Sequence, residues 1–168
     1  MDKNFNPDKQ HTLMKPVSIS GTGLHSGINV DMTLKPANPG FGYQFQRTDL
    51  PDSPIIKADC ELVTDTSRGT TLEKGDCKVS TVEHILAALV GMGIDNCLIE
   101  LNGPEIPIID GSSEPFVKII EETGVLEQDA TKVWYSIDTN ISYFDDVKKV
   151  EMTALPAVNY QITTLIDF

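Results

Sequence analysis

The clearest hydrophobic pattern in the chain predicts an amphipathic helix over residues 80–91. Apolar side chains recur there with the spacing that gives a helix one buried stripe, at Val82, Ile85, Leu86, Leu89 and Val90. Ser80 suits the N-cap position, and Gly91 and Gly93 can adopt the positive φ that ends a helix. The first turn of this helix therefore carries two ionisable side chains at adjacent positions.

Period-two alternation predicts β-strands before and after the helix. Apolar and polar residues alternate over 28–35, and a strand is also predicted over 12–21. The glycine-rich segment 21–27 between them could cradle a phosphate only if a helix followed it, and here a strand follows. We therefore predict a hairpin turn, in which His25 either makes local hydrogen bonds or lines a site. Further short strands are predicted over 43–47, 55–58, 69–72 and 96–101.

A second helix is predicted over residues 112–124. Pro115 suits its first turn, Gly124 suits its end, and its apolar stripe consists of Phe116, Ile119 and Ile120. Over residues 11–130 the pattern predicts an α+β fold, a two-layer sandwich in which two helices cover one face of a β-sheet. Residues 1–10 have no periodicity and are predicted to form a flexible N-terminus.

The pattern changes after about residue 130, where only strands are predicted. Three segments, 133–143, 147–155 and 160–168, are typical of a β-meander, and no helix follows to cover it. We interpret residues 131–168 as the first strands of an incomplete second domain. The chain is accordingly expected to be the front part of a longer protein.

Charge and cysteine content limit the classes of function. The 168-residue chain has a formal net charge of −12, which argues against binding to nucleic acid or to an anionic membrane surface. The first ten residues are polar, and the longest apolar run, 85–90, is too short to cross a bilayer. Three cysteines without a Cys-x-x-Cys pair indicate reduced thiols. These observations predict a cytoplasmic protein without a membrane span.

Glu83 and His84 are the candidate reactive residues of the first helix, and each has two interpretations. Glu83 lies three residues after Ser80, so it matches a capping box, in which its carboxylate accepts the N–H of the cap residue. It could instead be a catalytic carboxylate. His84 is either a histidine at a contact surface or a metal ligand, and one histidine alone does not make a metal site.

Six motifs of the chain occur in an order that is typical of one enzyme family. They are GTGLHSG (21–27), RTDL (47–50), STVEHILAAL (80–89), GIDN (93–96), PEIPIIDGSS (104–113) and LIDF (165–168). With them the chain resembles the UDP-3-O-acyl-N-acetylglucosamine deacetylases, zinc enzymes of lipid A synthesis in Gram-negative bacteria. The resemblance implies two similar α+β domains with the active site between them, and a UDP-linked, acylated glucosamine as substrate.

The resemblance also implies roles for individual residues. Glu83 matches the family's general base and His84 its first zinc ligand. The family's other two ligands belong to a His-Lys-x-x-Asp motif, which this chain lacks, since its histidines are His11, His25 and His84. The remaining zinc ligands are therefore expected beyond Phe168, in a missing C-terminal part of the same protein. The 168-residue chain alone is expected to be inactive.

The resemblance also has implications for the second domain. Lys148 or Lys149 would pair with the substrate's phosphates, although either could be a solvated surface lysine. Phe168 would contact the acyl chain or the sugar, or else belong to a sheet core. The unfinished strands predict that residues 131–168 either pair with a second copy, as a homodimer, or are poorly ordered. The alternative function is a non-catalytic α+β binding module, because fold does not fix function.

Overall fold

The computed structural model describes residues 6–166, and it confirms the predicted α+β class. The chain divides into two compact units, with the division between Lys132 and Val133. The elements of the first unit are β1 (Lys9–Leu13), β2 (Val17–Thr22), β3 (Asn29–Pro36), β4 (Tyr43–Arg47), β5 (Ile55–Lys57), β6 (Val63–Asp65), β7 (Thr71–Lys74), β8 (Cys77–Ser80), α1 (Glu83–Gly91), β9 (Cys97–Leu101), α2 (Glu114–Thr123) and β10 (Val125–Thr131). A 3-10 turn, Cys60–Leu62, precedes β6.

The largest sheet of the first unit has five strands in the order β2-β3-β9-β4-β5. Its pairs are antiparallel except for β4 and β9, which run parallel. Strands β6, β7 and β8 form a separate antiparallel sheet, and β1 pairs antiparallel with β10. The β8 strand leads directly towards α1, so the three-stranded sheet positions the helix that carries the candidate site.

The predicted strand over 12–21 is wrong as a single element. The structure has two strands there, and they belong to different sheets. Pro16, which has no N–H to donate to a ladder, lies between them, and the N–H of Met14 bonds instead to the carbonyl of Gly124. The polar strand β10 was not predicted, since its pairing with β1 depends on a partner more than a hundred residues earlier in the chain.

The core of the first unit is one cluster that joins the five-stranded sheet to both helices. Alternate residues of β3 are fully buried, as the sequence pattern predicts. The main contributors are Val30, Met32 and Leu34 of β3, Cys97, Ile99 and Leu101 of β9, Ile85, Ala88 and Leu89 of α1, and Phe116 and Ile120 of α2. Burial of each valine, leucine, isoleucine, methionine or phenylalanine side chain in this set contributes roughly 1.5–3 kcal/mol. The predicted stripe of the first helix is wrong at Val90, which is 64% exposed.

The second unit, described through residue 166, contains one antiparallel hairpin. Its strands are β11 (Ile141–Asp145) and β12 (Val150–Ala154). The predicted three-stranded meander is wrong over the described residues, because residues 160–166 form no strand. Positions 167 and 168 lie outside the described residues. Across residues 6–166, neither α1, with nine residues, nor α2, with ten, is long and apolar enough to cross a bilayer.

Candidate active site

The candidate site is built around the start of α1, which differs from the sequence prediction. Ser80 is the last residue of β8, and Val82 occupies the N-cap position without a side-chain hydrogen bond. Thr81 between them has a φ of 60°, a left-handed conformation that turns the chain from strand to helix. The predicted capping box is therefore absent, because Ser80 is held in the sheet, where its hydroxyl accepts a hydrogen bond from the Thr71 hydroxyl at 3.2 Å.

The carboxylate of Glu83 is instead held by a neighbouring loop. The backbone N–H of Thr70 donates to its Oε2 at 2.9 Å. The carbonyl of Thr70 in turn accepts the N–H of Val82 at 3.3 Å. Glu83 is half-buried at the first position of α1. This arrangement holds one carboxylate oxygen, Oε2, in a hydrogen bond to the backbone.

His84 follows Glu83 in the first turn of α1 and is also half-buried. Among residues 6–166 no hydrogen bond or ion pair engages its imidazole, so a ring nitrogen is available as a donor to a metal. The same residues contain no group of three or more His, Cys, Asp or Glu side chains that could hold a metal ion. The described residues thus fit zinc as the source of one ligand, and a complete catalytic site would need others.

Glu105, which sequence reasoning did not select, connects the site to the β2–β3 turn. Its carboxylate accepts the N–H of Ser26 at 2.7 Å, the N–H of His25 at 3.0 Å and the hydroxyl of Thr81 at 3.0 Å. The side chain is only 2% exposed. Burial raises the pKa of Glu105, but hydrogen bonds from Ser26, His25 and Thr81 outweigh it and bring the pKa below its ordinary value. The one available sequence signal was its place in the 104–113 motif.

The 21–27 segment is a hairpin turn, as predicted, closed by the N–H of Gly23 on the carbonyl of Ile28 at 2.9 Å. Of the two interpretations of His25, local hydrogen bonding is wrong, and the residue instead lines the pocket described below. The ring nitrogen Nε2 of His25 lies 2.8 Å from the carbonyl oxygen of Arg68. The backbone N–H of His25 donates a hydrogen bond to the carboxylate of Glu105. Both partners lie more than forty residues away along the chain, so the pattern around His25 could not reveal them.

These loops line an open pocket of about 310 Å³ beside the start of α1. Its walls combine cationic, anionic and hydroxyl groups, from His25, Ser26, Asp65, Arg68, Gly69, Thr71, Lys78, Ser80, Thr81, Pro104 and Glu105. A mixed lining of this kind can bind a polar ligand that carries both hydroxyls and charge. The structure thus places a polar cavity next to the helix turn that holds the predicted base and metal ligand.

The remaining predicted site residues belong to the second unit. Lys148 and Lys149 lie in the turn between β11 and β12. The N–H of Lys148 donates to the carboxylate of Asp145 at 2.9 Å, and the ammonium of Lys149 lies 3.9 Å from the carboxylate of Asp146. Phe168 falls outside the described residues. Glu83 and His84, which are adjacent in the sequence, share the first turn of α1, and Lys148 and Lys149 share the β11–β12 turn.

Comparison with known proteins supports the family resemblance that the six sequence motifs indicate. Residues 10–168 match the family model of LpxC, UDP-3-O-acyl N-acetylglycosamine deacetylase. The chain is 49% identical to the UDP-3-O-acyl-N-acetylglucosamine deacetylase of Myxococcus xanthus, over 95% of this chain and 50% of that protein. It is 46% identical to the bifunctional enzyme LpxC/FabZ of Chlorobaculum tepidum, over 95% of this chain and 34% of that protein.

A third relative is similar to this chain to a comparable degree. The UDP-3-O-acyl-N-acetylglucosamine deacetylase of Trichormus variabilis is 43% identical, over 95% of this chain and 57% of that protein. The chain therefore spans between about a third and somewhat over half of the length of these relatives. The match over nearly every residue shows that the chain belongs to the UDP-3-O-acyl N-acetylglycosamine deacetylase family.

Proposed function

We propose that this chain supplies the general base and one zinc ligand of a deacetylase that acts on UDP-3-O-acyl-N-acetylglucosamine. The observation that carries the proposal is the pair Glu83 and His84 in the first turn of α1, with the Glu83 carboxylate held by Thr70 beside a polar pocket. Two relatives bear the name of this activity, which supports the substrate class. The family membership favours an enzyme over the alternative of a non-catalytic binding module.

The reaction is hydrolysis of an amide bond. Water adds to the acetyl carbon and gives up a proton, the C–N bond breaks as the leaving nitrogen takes up a proton, and the products are acetate and the free amine of the glucosamine. Zinc, when bound, supplies Lewis-acid chemistry for this hydrolysis. His84 would hold the metal through a ring nitrogen. Glu83 takes the proton of the attacking water on its free oxygen, and its position next to His84 keeps that oxygen beside the reacting centre.

Catalytic zinc normally has three protein ligands and one open position. The described residues offer His84 and no group of three donors. We propose that the other ligands lie beyond Phe168, in a C-terminal part of the same protein, and that the 168-residue chain by itself is inactive. We expect cytoplasmic activity in the longer protein.

The second unit is proposed to contribute to substrate binding. Lys148 or Lys149, both in the β11–β12 turn, would pair with the phosphates of the UDP group, since an ammonium is a compact partner for a phosphate oxygen. Phe168 would contact the acyl chain or the sugar. Alanine substitution of the lysine that binds phosphate should raise KM and change kcat little, whereas substitution of the other lysine should change neither.

The assignment of Glu83 and His84 is tested in the full-length protein. Glu83→Ala should keep stoichiometric zinc and lose about 10²- to 10⁴-fold in kcat, because a positioned general base contributes that much. His84→Ala should lose zinc in dialysis, because it removes a metal ligand. The measurements are turnover of the acylated UDP-sugar and zinc content by atomic absorption.

Glu121→Ala provides a matched control, because Glu121 is an exposed glutamate in the other helix of the first unit. It should retain normal turnover and zinc. Normal turnover in Glu83→Ala would remove Glu83 from the role of base, and full zinc retention in His84→Ala would remove His84 from the metal site.

A further inference from the structure

The segment that ends at Thr70 lies beside both oxygens of the Glu83 carboxylate. Oε2 accepts the N–H of Thr70 at 2.9 Å. Oε1 faces Gly69, and a Cβ atom built on Gly69 would lie 3.2 Å from it, closer than a carbon and a carboxylate oxygen normally approach. One oxygen is thus held by a hydrogen bond, and the other lies in a space that exists because residue 69 has no side chain.

Residues 68–70 are held by hydrogen bonds at three of their backbone groups. The carbonyl of Arg68 pairs with Nε2 of His25 at 2.8 Å. The carbonyl and N–H of Thr70 bond to Val82 and Glu83 respectively. Gly69 has a φ of 152°, a conformation that an L side chain disfavours. The segment is therefore a fixed part of the structure and cannot easily move away from the carboxylate.

We propose that Gly69 and the backbone N–H of Thr70 are positioning groups for Glu83, which select the carboxylate oxygen that acts as the base and fix its direction. The inference rests on the proposed function, in which Glu83 is the general base. A base must be held within a fraction of an ångström of its productive geometry. Oε2 already accepts the N–H of Thr70, whereas Oε1 accepts no hydrogen bond from residues 6–166. In this proposal the proton of the attacking water therefore goes to Oε1, on the side that Gly69 leaves open.

The test is Gly69→Ala in the full-length protein. The new methyl group forces Oε1 to move by a few tenths of an ångström, so kcat should fall about tenfold while KM changes less than twofold and zinc is retained. Gly75→Ala is a control for adding a side chain at a positive φ, here 60°, where an added Cβ has no atom within 4 Å. Its kcat should be that of the parent. The greater backbone strain at Gly69 is accounted for by the double-mutant cycle below.

A double-mutant cycle separates positioning from a general structural effect. If Gly69 acts through the carboxylate, Gly69→Ala should cause no further loss of residual kcat when Glu83 is already alanine. An equal fold-loss in both backgrounds, or a normal kcat in Gly69→Ala, would overturn the inference.

A second readout does not depend on catalysis. In thermal unfolding of the 168-residue chain, Gly69→Ala should lower the Tm less in the Glu83→Ala background than in the parent, because the crowded oxygen is gone. If the full-length protein shows no deacetylase activity, the proposed function fails. The comparison of Tm values in the two backgrounds still decides whether Gly69 positions the carboxylate. Equal Tm losses in both backgrounds would count against the contact itself.

Discussion

At the residue scale, the carboxylate of Glu105 is the point where three separate chain segments meet. It receives hydrogen bonds from His25 and Ser26 in the β2–β3 turn and from Thr81 at the entrance to α1. Glu105 itself is almost fully buried, and its bond from the Thr81 hydroxyl is buried as well. The residue therefore holds the pocket wall against the helix turn that carries Glu83, without being required to touch substrate.

Glu105→Gln should lower the free energy of unfolding at pH 7 by about 1–3 kcal/mol, because the amide replaces a charged acceptor and leaves a buried donor unpaired. Urea titration of the 168-residue chain measures this difference. Glu121→Gln, at an exposed position of α2, serves as the control and should change stability by less than about 0.5 kcal/mol. A parent-like midpoint for Glu105→Gln would contradict the role assigned to this carboxylate.

The carboxylate of Glu105 also makes the folding stability of the chain depend on pH. The pKa of Glu105 is lower in the folded chain than its ordinary value of 4.5. Its stabilising effect is therefore fully present above pH 4.5 and is lost as the pH falls through the lower, folded pKa. The difference in stability between the parent and Glu105→Gln should shrink in that acidic range when urea midpoints are measured at successive pH values. A difference that grows as the pH falls would reverse the sign argued here.

At the element scale, the sequence correctly predicted that a helix forms at α1 but placed its N-cap and its terminating glycine less accurately. The helix begins at Glu83, three residues after the predicted cap, because Ser80 and its neighbours are paired in a sheet. It ends after Gly91, which is the last helical residue and has no positive φ, whereas Gly93 has a φ of 70°. Of the two glycines in the predicted helix end, the structure thus uses Gly93 for the left-handed turn.

This difference predicts opposite effects of alanine at the two glycines. Gly91→Ala should stabilise the chain by about 0.5–1 kcal/mol, since the position is helical and an added Cβ meets nothing within 4 Å. Gly93→Ala should destabilise it by about 1–2 kcal/mol, since a side chain is strained in the left-handed region. Thermal unfolding of the two variants side by side tests the claim, and a stabilising Gly93→Ala would contradict it.

At the scale of the whole molecule, the two units differ in how they bury apolar surface. The first unit has a core that joins a sheet and two helices. The hairpin of the second unit has apolar side chains on both faces that are 44–62% exposed, at Ile141, Tyr143, Phe144, Val150 and Met152. An isolated two-stranded hairpin is marginally stable in water, and an apolar surface of this kind is typical of a contact site.

We therefore expect the 168-residue chain to self-associate through residues 133–166, and a truncation that ends at Lys132 to be monomeric. Light scattering over a range of concentrations measures both. Hydrogen exchange should show protection in the first unit of both chains, because its core does not depend on the second unit. A 168-residue chain that stays monomeric while residues 141–154 are strongly protected would show that the hairpin is stable by itself.

The sequence by itself determined what local periodicity can encode. The 3.6-residue spacing predicted α1 and α2, and alternation predicted the buried face of β3, because the side chains of one element share a face whatever lies opposite. The same spacing placed Glu83 and His84 at a helix start, and the ordered motifs indicated the family.

Tertiary structure alone decided the contacts between distant segments. It paired β1 with β10, held Glu83 through Thr70 rather than Ser80, and brought His25 and Glu105 together across eighty residues. A buried donor or acceptor takes whichever partner the packed layers bring near it, and no local pattern records that choice.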